Sequence, residues 1–436
     1  MPKVLMVTPY WPPVNKVGVW RVMRTARYLS EFGWIPLICT PHPEDVYPQP
    51  PFIDESLLAP PAEVLQPRVH VPSMMAARVS GAPRRLLTQL RAPAQLTQVG
   101  ELIERGSFKL IAEMLLPDQF VEWGLGVTRH LNPDLDVDAV WVTGGPFGMH
   151  IAGTLIAERL KKPLMLDYRD PWTSHRPPRR GWISAPQRLL RLLEEYCLKK
   201  AKSVSYIHRE SLLANRALFG TPEGALWRVI TNSFDPIDLG DLPPMRPEGS
   251  QGKPALVYAG NFYDARSALG LLKALEELQR VDPDEDHPVT AHIYGQLDPP
   301  AQAFLKDHPI ASSRLLLHPR CGAEEIGAIM RGADASLLVI GDDPSHQTAL
   351  SGKIWDYLAA GTPIIGLGPF NASARALIEA EGVGIWVNSA DTQSLVEALK
   401  RLSRGGLPQP SSSNASRYHA RQMSRAMAEL LDHLIS

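Results

Sequence analysis

Thr348–Leu367 reads TALSGKIWDYLAAGTPIIGL, and the rest of the chain is best read outward from it. Ser351 stands where a helix cap accepts a hydrogen bond from a free first-turn amide, and Gly352 beside it lets a ligand approach the backbone. Ile354 and Leu358 recur at helical spacing and mark a buried stripe, while Lys353 and Asp356 fall together on another face. Gly361 sits at a left-handed helix terminus, Pro363 prevents continuation, and Ile364 and Ile365 begin a short apolar strand covered on both faces. A helix N-terminus with open amides, a lysine and a carboxylate is suited to holding a phosphate and a ribose hydroxyl together. A capped core helix followed by a strand satisfies the same pattern.

Around this stretch a β-α-β series begins after Pro254. Strands are predicted at Ala255–Ala259, Val289–Tyr294, Leu315–Leu317, Ala335–Ile340, Ile364–Leu367 and Ile385–Val387, with helices between them such as Ser267–Leu278 and Glu324–Arg331. A final helix is predicted over Tyr418–Ile435, after the flexible run GGLPQPSSS.

The first half repeats the plan. Lys3–Thr8 is a strand, Trp20–Phe32 a helix ended by Gly33, and Trp34–Cys39 the next strand, which predicts a parallel sheet with right-handed crossovers. The first loop carries Gly18 but no GxGxxG, so a dinucleotide fingerprint is absent. Ala139–Thr143, the turn GGPFGMH, a helix to Leu160 and the strand Leu164–Asp167 follow; the last delivers DYRDPW at its carboxyl end. Charged residues there face a ligand or each other, because a buried Arg and Asp need partners. Ser203–Ile207 is a further strand, and the proline-rich Pro236–Pro254 reads as an interdomain linker.

Composition narrows the function. At 436 residues the chain suits two or three domains, and its formal net charge of −1 gives no general case for nucleic-acid binding. Cys39, Cys197 and Cys321 lie far apart, without metal-ligand spacing, as expected of reduced cytosolic thiols. No apolar run is long enough to span a bilayer and the start lacks a signal-peptide pattern, so a cytoplasmic protein is expected. Two stretches favour the periphery of an anionic membrane at its inner face. Pro83–Leu96 mixes Arg84, Arg85 and Arg91 with leucines, and Arg176–Arg209 holds nine Lys or Arg against two Glu. A solvated surface face shows the same charges.

Several motifs together resemble the GT-B glycosyltransferases, and among them glycosyltransferase family 4. They are VLMVTPYWPP with Gly18 and Arg21, LLPDQFVEW over Leu115–Trp123, VTGGPFGMH, LDYRDPW, YAGNF over Tyr258–Phe262, and SGKIWDYLAAGTPII. The branch with DxRDPW-like strings acts in bacterial surface-polysaccharide and lipid-linked sugar pathways. The resemblance implies an α/β protein of two Rossmann-like domains facing each other across a cleft. Residues 1–235 would bind the acceptor, 254–410 would bind the nucleotide-sugar donor, and the last helix, 415–436, would pack back on the first domain. Asp356 would hold the donor ribose, and Ser351, Gly352 and Lys353 the diphosphate. Gly18, Gly260, Asn261 and Arg266 would line the donor phosphates, Arg320 and Cys321 would frame the base, and Arg169, Asp170 and His150 are the catalytic or sugar-contacting candidates. The implied substrate is a UDP- or GDP-sugar, the acceptor a glycan, a lipid-linked sugar or a small molecule, and neither cofactor nor metal is implied.

The pattern departs from the family in two places. Its Glu-x7-Glu motif has Thr348 at the first position and Asp356 at the second, and Asn261 replaces a commoner arginine. The expected reaction is transfer of a sugar with retention of configuration, the departing diphosphate being stabilised by Lys353, Arg266 and helix amides. Asp342-Asp343 lacks metal-binding spacing and fits a turn, and His346, like His150, also fits a structural role. A GT-B nucleotide-sugar epimerase and a catalytically degenerate GT-B subunit are the alternatives.

Overall fold

The structure is a computed structural model describing residues 1–14, 16, 18–46, 60–69, 117–174, 185–250, 252–263, 266–281, 289–342, 350–411 and 414–436. Arg84–Arg91, residues 115–116 and 176–180, Asp343, His346 and Thr348 lie outside the described residues. The chain divides into two compact units, one of Met1–Asn232 with Ala420–Ser436 and one of Ser233–His419. Each is a Rossmann-like α/β domain built on a parallel sheet.

In the first unit the strands are β1 (Lys3–Val7), β2 (Ile35–Cys39), β3 (Glu63–Leu65), β4 (Ala139–Gly144), β5 (Leu164–Tyr168), β6 (Ala201–Tyr206) and β7 (Leu226–Val229). They lie in the order β3-β2-β1-β4-β5-β6-β7. All pairings are parallel, with Val7 beside both Cys39 and Val142 and Gly144 beside Tyr168. The central strands are largely apolar: Val4 to Met6, Ala139, Val140 and Val142 have no exposed surface. Such runs need cover on both faces, and helices supply it. The last helix, Ala420–Ile435, lies against the first, Val19–Leu29, through Met423, Met427 and Leu431. Ser424 donates to the carbonyls of Arg24 and Thr25 across that contact.

In the second unit β8 (Ala255–Ala259), β9 (Thr290–Tyr294), β10 (Leu315–His318), β11 (Ala335–Val339), β12 (Ile364–Leu367) and β13 (Gly384–Val387) form the order β10-β9-β8-β11-β12-β13. The segment read as a linker belongs to this unit. Its 3-10 turn Pro236–Leu239 packs Leu239 into the second core, and the Met245 amide donates to the Ala328 carbonyl. In both sheets the strand order reverses once, between β1 and β4 and between β8 and β11, and ligand sites lie beyond the carboxyl ends of strands at such points.

Candidate functional site

In the second unit the helix Gly352–Ala360 is aimed by its core face. Ile354, Trp355, Tyr357 and Leu358 are buried, and the Tyr357 hydroxyl donates to the Leu337 carbonyl on β11 at 2.9 Å. Gly361 ends it with φ 71°, as the sequence requires. Its start differs from expectation. Ser351 holds the cap position, but its hydroxyl makes no capping bond; the turn is closed by the Ile354 amide donating to the Ser351 carbonyl at 3.1 Å. Gly352 is exposed, and nothing stands within 4 Å of where a Cβ would project. The first turn therefore has neither a side-chain cap nor an acidic residue, and its dipole favours an anion.

Lys353 leaves this turn and lies against the loop after β8. Its Nζ stands 4.8 Å from the centroid of the Tyr258 ring, a cation–π contact, and a Cβ on Gly260 would meet Cε at 2.8 Å and Nζ at 3.0 Å. Gly260 has φ 132° and Gly295 φ 155°, so both positions require glycine. A side chain at Gly295 would strike the Gly260 carbonyl at 2.1 Å. The Asn261 side-chain oxygen accepts from the Gln296 amide at 3.1 Å, which fastens the two loops together. Asn261, expected to line the donor phosphates, thus also sets the shape of the loop.

Burial, the repulsion of Arg266 and the weaker repulsion of Arg320 press the Lys353 pKa down to about 8, against the pull of Asp356. Arg266 is held by the Tyr263 hydroxyl at 2.7 Å and lies over that ring, with Nε buried and, among the described residues, without a hydrogen-bond partner. Arg320 is exposed, in the loop after β10. Cys321, half-buried beside it, packs on the cluster that contains Tyr294 and Trp355, and burial raises its thiol pKa. Among the described residues none of the three cations is in an ion pair, and they gather positive charge at the loop ends of β8 and β10 and the helix start.

The first unit gathers its own candidates beyond β1, β4 and β5. Arg21 and Asp167 neutralise each other in the core, so Arg21 is structural. Arg169 is 8% exposed; its Nε donates to the Gly144 carbonyl at 2.9 Å, its Nη2 to Gly145 at 2.6 Å, and it lies over the Tyr10 ring. Gly18 begins the first helix directly beside it, while Asp170 is exposed near Gly145. His150 is fully buried, with Nε2 3.2 Å from the Asp167 carbonyl and packed against Tyr168 and Trp172. Desolvation drives its pKa down to about 4, so it is a neutral core histidine behind Gly144. The helix Ala185–Lys200 fixes the DYRDPW loop through Glu194. This buried carboxylate accepts from the Thr173 amide at 3.0 Å and hydroxyl at 2.5 Å and from the Asn215 amide group at 3.1 Å.

Sequence reading missed Gly295, Tyr258 as the rest for Lys353, and Glu194. A glycine at the end of β9 was a visible signal for the first; the other two need the packed structure. Among the described residues no helix is long and apolar enough to cross a membrane.

Residues 253–404, within the second unit, match the glycosyl transferases group 1 family model. No curated protein sequence matches the chain. Similar solved structures include sucrose-phosphate synthase of Thermosynechococcus elongatus, at 12% identity, TM-score 0.55 and 100% coverage of this chain against 95% of that one. Anabaena Alr3699/HepE in complex with UDP and glucose aligns at 15% identity, TM-score 0.54 and 100% of both chains. The N-terminal domain of Candida albicans trehalose-6-phosphate phosphatase aligns at 11% identity, TM-score 0.59, over 99% of this chain and 97% of that one. At these identities the likeness is one of fold.

Proposed function

We propose that the chain is a glycosyltransferase moving a sugar from a nucleotide-diphosphate sugar to an acceptor hydroxyl in glycan or glycolipid synthesis, with retention of configuration and without a metal. The observation that carries it is the half-buried Lys353 ammonium, resting on Gly260 and Tyr258 at an uncapped helix start, with Arg266 and Arg320 adding positive field. That arrangement suits a dianion whose charge grows as a glycosidic bond to phosphate breaks. Asp356, one turn further along the same face, is placed to accept from ribose hydroxyls. The matched family model supports the reaction class. UDP, present in the Anabaena complex, is the favoured nucleotide.

The retaining and metal-free character rests on the resemblance of motifs. Attachment to an anionic bilayer surface is part of the proposal. On the helix Ala185–Lys200, Leu189 and Leu192 are 45% and 61% exposed, alternating with Arg188 and Arg191.

The test is incubation with UDP- and GDP-sugars together with a lipid and glycan extract. Acceptor-dependent release of nucleoside diphosphate with a new glycoside supports the proposal. Epimerised donor without acceptor contradicts it, as does donor binding that never turns over with any acceptor pool.

A further inference from the structure

We propose that Asp298 is a positioning residue of the donor site: by holding Ser267 and Ala268 it sets the direction in which Arg266 meets the diphosphate. This rests on the donor-site reading above and adds to it a residue that acts from behind the site.

Asp298 stands at the N-cap of the helix Pro299–Asp307, where an aspartate ordinarily accepts from an amide in the first turn of its own helix. Its carboxylate makes no such bond, and Pro299 and Pro300, the first two helical residues, have no N–H to offer. Both oxygens reach instead to the end of the loop after β8. Oδ1 accepts from the Ala268 amide at 2.9 Å and Oδ2 from the Ser267 hydroxyl at 2.6 Å. Ser267 Oγ in turn accepts from the Leu269 amide at 3.1 Å, where the helix Leu269–Val281 begins. Asp298 is 3% exposed, so these bonds to a carboxylate lie away from water and are of the stronger, charge-assisted kind.

Arg266 sits between two anchors. Before it in the chain, Asn261 Oδ1 accepts from the Gln296 amide, and the Phe262 amide donates to the Gln296 carbonyl at 2.8 Å. Directly after it come Ser267 and Ala268, held by Asp298. The loop after β9 therefore grips the loop after β8 on both sides of Arg266. The arginine side chain is held more lightly. Among the described residues its guanidinium donates only to the Tyr263 hydroxyl, and Tyr263 is 48% exposed. Such a side chain points where its backbone directs it. Loss of Asp298 releases the residue next to Arg266, whereas Lys353 rests on Tyr258 and Gly260, on the far side of the Asn261 anchor.

A cap that merely stabilises the helix Leu269–Val281 is the competing role, and it differs in one respect: its loss would act on nucleotide binding whether or not Arg266 is present.

A double-mutant cycle separates the two. UDP binding by calorimetry and melting temperature without ligand are measured for the full chain, Asp298→Ala, Asp298→Asn, Arg266→Ala and the variant carrying both Asp298→Ala and Arg266→Ala. UDP is expected to bind at least tenfold more weakly to each single alanine variant. The double variant is expected to bind within about twofold of Arg266→Ala, because nothing is left for Asp298 to place. Asp298→Asn, whose side-chain oxygen still accepts from the Ala268 amide, is expected to recover most of the affinity. Should Asp298→Ala not fold, Ser267→Ala removes the Oδ2 bond alone; a loss of about threefold is expected, absent when Arg266→Ala is also present. Losses that multiply in the double variant assign Asp298 to the helix cap and overturn the positioning role. UDP affinity unchanged in Asp298→Ala, or in Arg266→Ala, overturns it too. Failure of UDP to bind the parent overturns the donor site itself, and with it any residue placed to serve it.

Discussion

Arg21 and Asp167, 146 residues apart in the chain, form a two-pronged ion pair in the first unit, with Nε–Oδ2 at 2.9 Å and Nη2–Oδ1 at 2.8 Å. Burial alone would raise the Asp167 pKa; the Arg21 charge and the bonds from Arg21, Ser205 and Thr143 outweigh it and hold the carboxyl below its usual range. Removing the charge from one partner strands the other in the core. Asp167→Asn is therefore expected to destabilise the first unit by about 3–5 kcal/mol, read by urea denaturation. A loss below about 1 kcal/mol would show that the pair is not what binds the first helix to the sheet.

Gly295 governs the shape of the donor loops. At φ 155° a side chain is strained, and its Cβ would meet the Gly260 carbonyl at 2.1 Å. Gly295→Ala must push away the loop on which Lys353 rests. UDP affinity is expected to fall at least tenfold, while the core of the unit, and so its melting temperature, changes less than it would for a buried-core truncation. Unchanged UDP affinity would mean that the loop plays no part in binding.

Much of this was legible in the sequence, for reasons that differ by element. β8 and β12 appear where their apolar runs end, because central parallel strands are buried on both faces and leave an uninterrupted signal. Gly361 stopped its helix as expected, since the left-handed position is a local requirement. Edge strands were less legible: β3 and β7 expose part of their surface and carry Glu63 and Arg228, so their apolar signal is broken. The helix Phe120–His130 was missed for a similar reason, Gly124 and Gly126 interrupting its pattern although Gly124 packs against Ala152. At the site, Lys353 and Asp356 could be read from spacing on one helix. That Asn261 ties two loops and that His150 is sealed behind Gly144 are facts of tertiary packing, which spacing does not carry.

Lys353 makes the affinity for nucleotide depend on pH. Its pKa of about 8 in the free protein means the ammonium is charged below that pH and progressively neutral above it. A bound diphosphate favours the charged form and raises the pKa, so binding above about pH 8 takes up a proton. UDP affinity is expected to fall between about pH 8 and 9.5 by up to tenfold per unit, with the fall absent in Lys353→Ala. Calorimetry in buffers of different ionisation enthalpy reads the proton uptake directly. A flat profile in the parent would place the titrating lysine away from the diphosphate.

The donor site on the helix Gly352–Ala360 is tested most directly by the binding of UDP to the parent, Lys353→Ala and Asp356→Asn, measured by calorimetry beside melting temperatures without ligand. Each variant loses one charge-assisted contact worth roughly 1.5–3 kcal/mol, so each is expected to bind UDP about ten- to hundredfold more weakly with its unliganded melting temperature nearly unchanged. Both variants binding UDP like the parent would contradict the site; both unfolding would show that the helix is only a structural element.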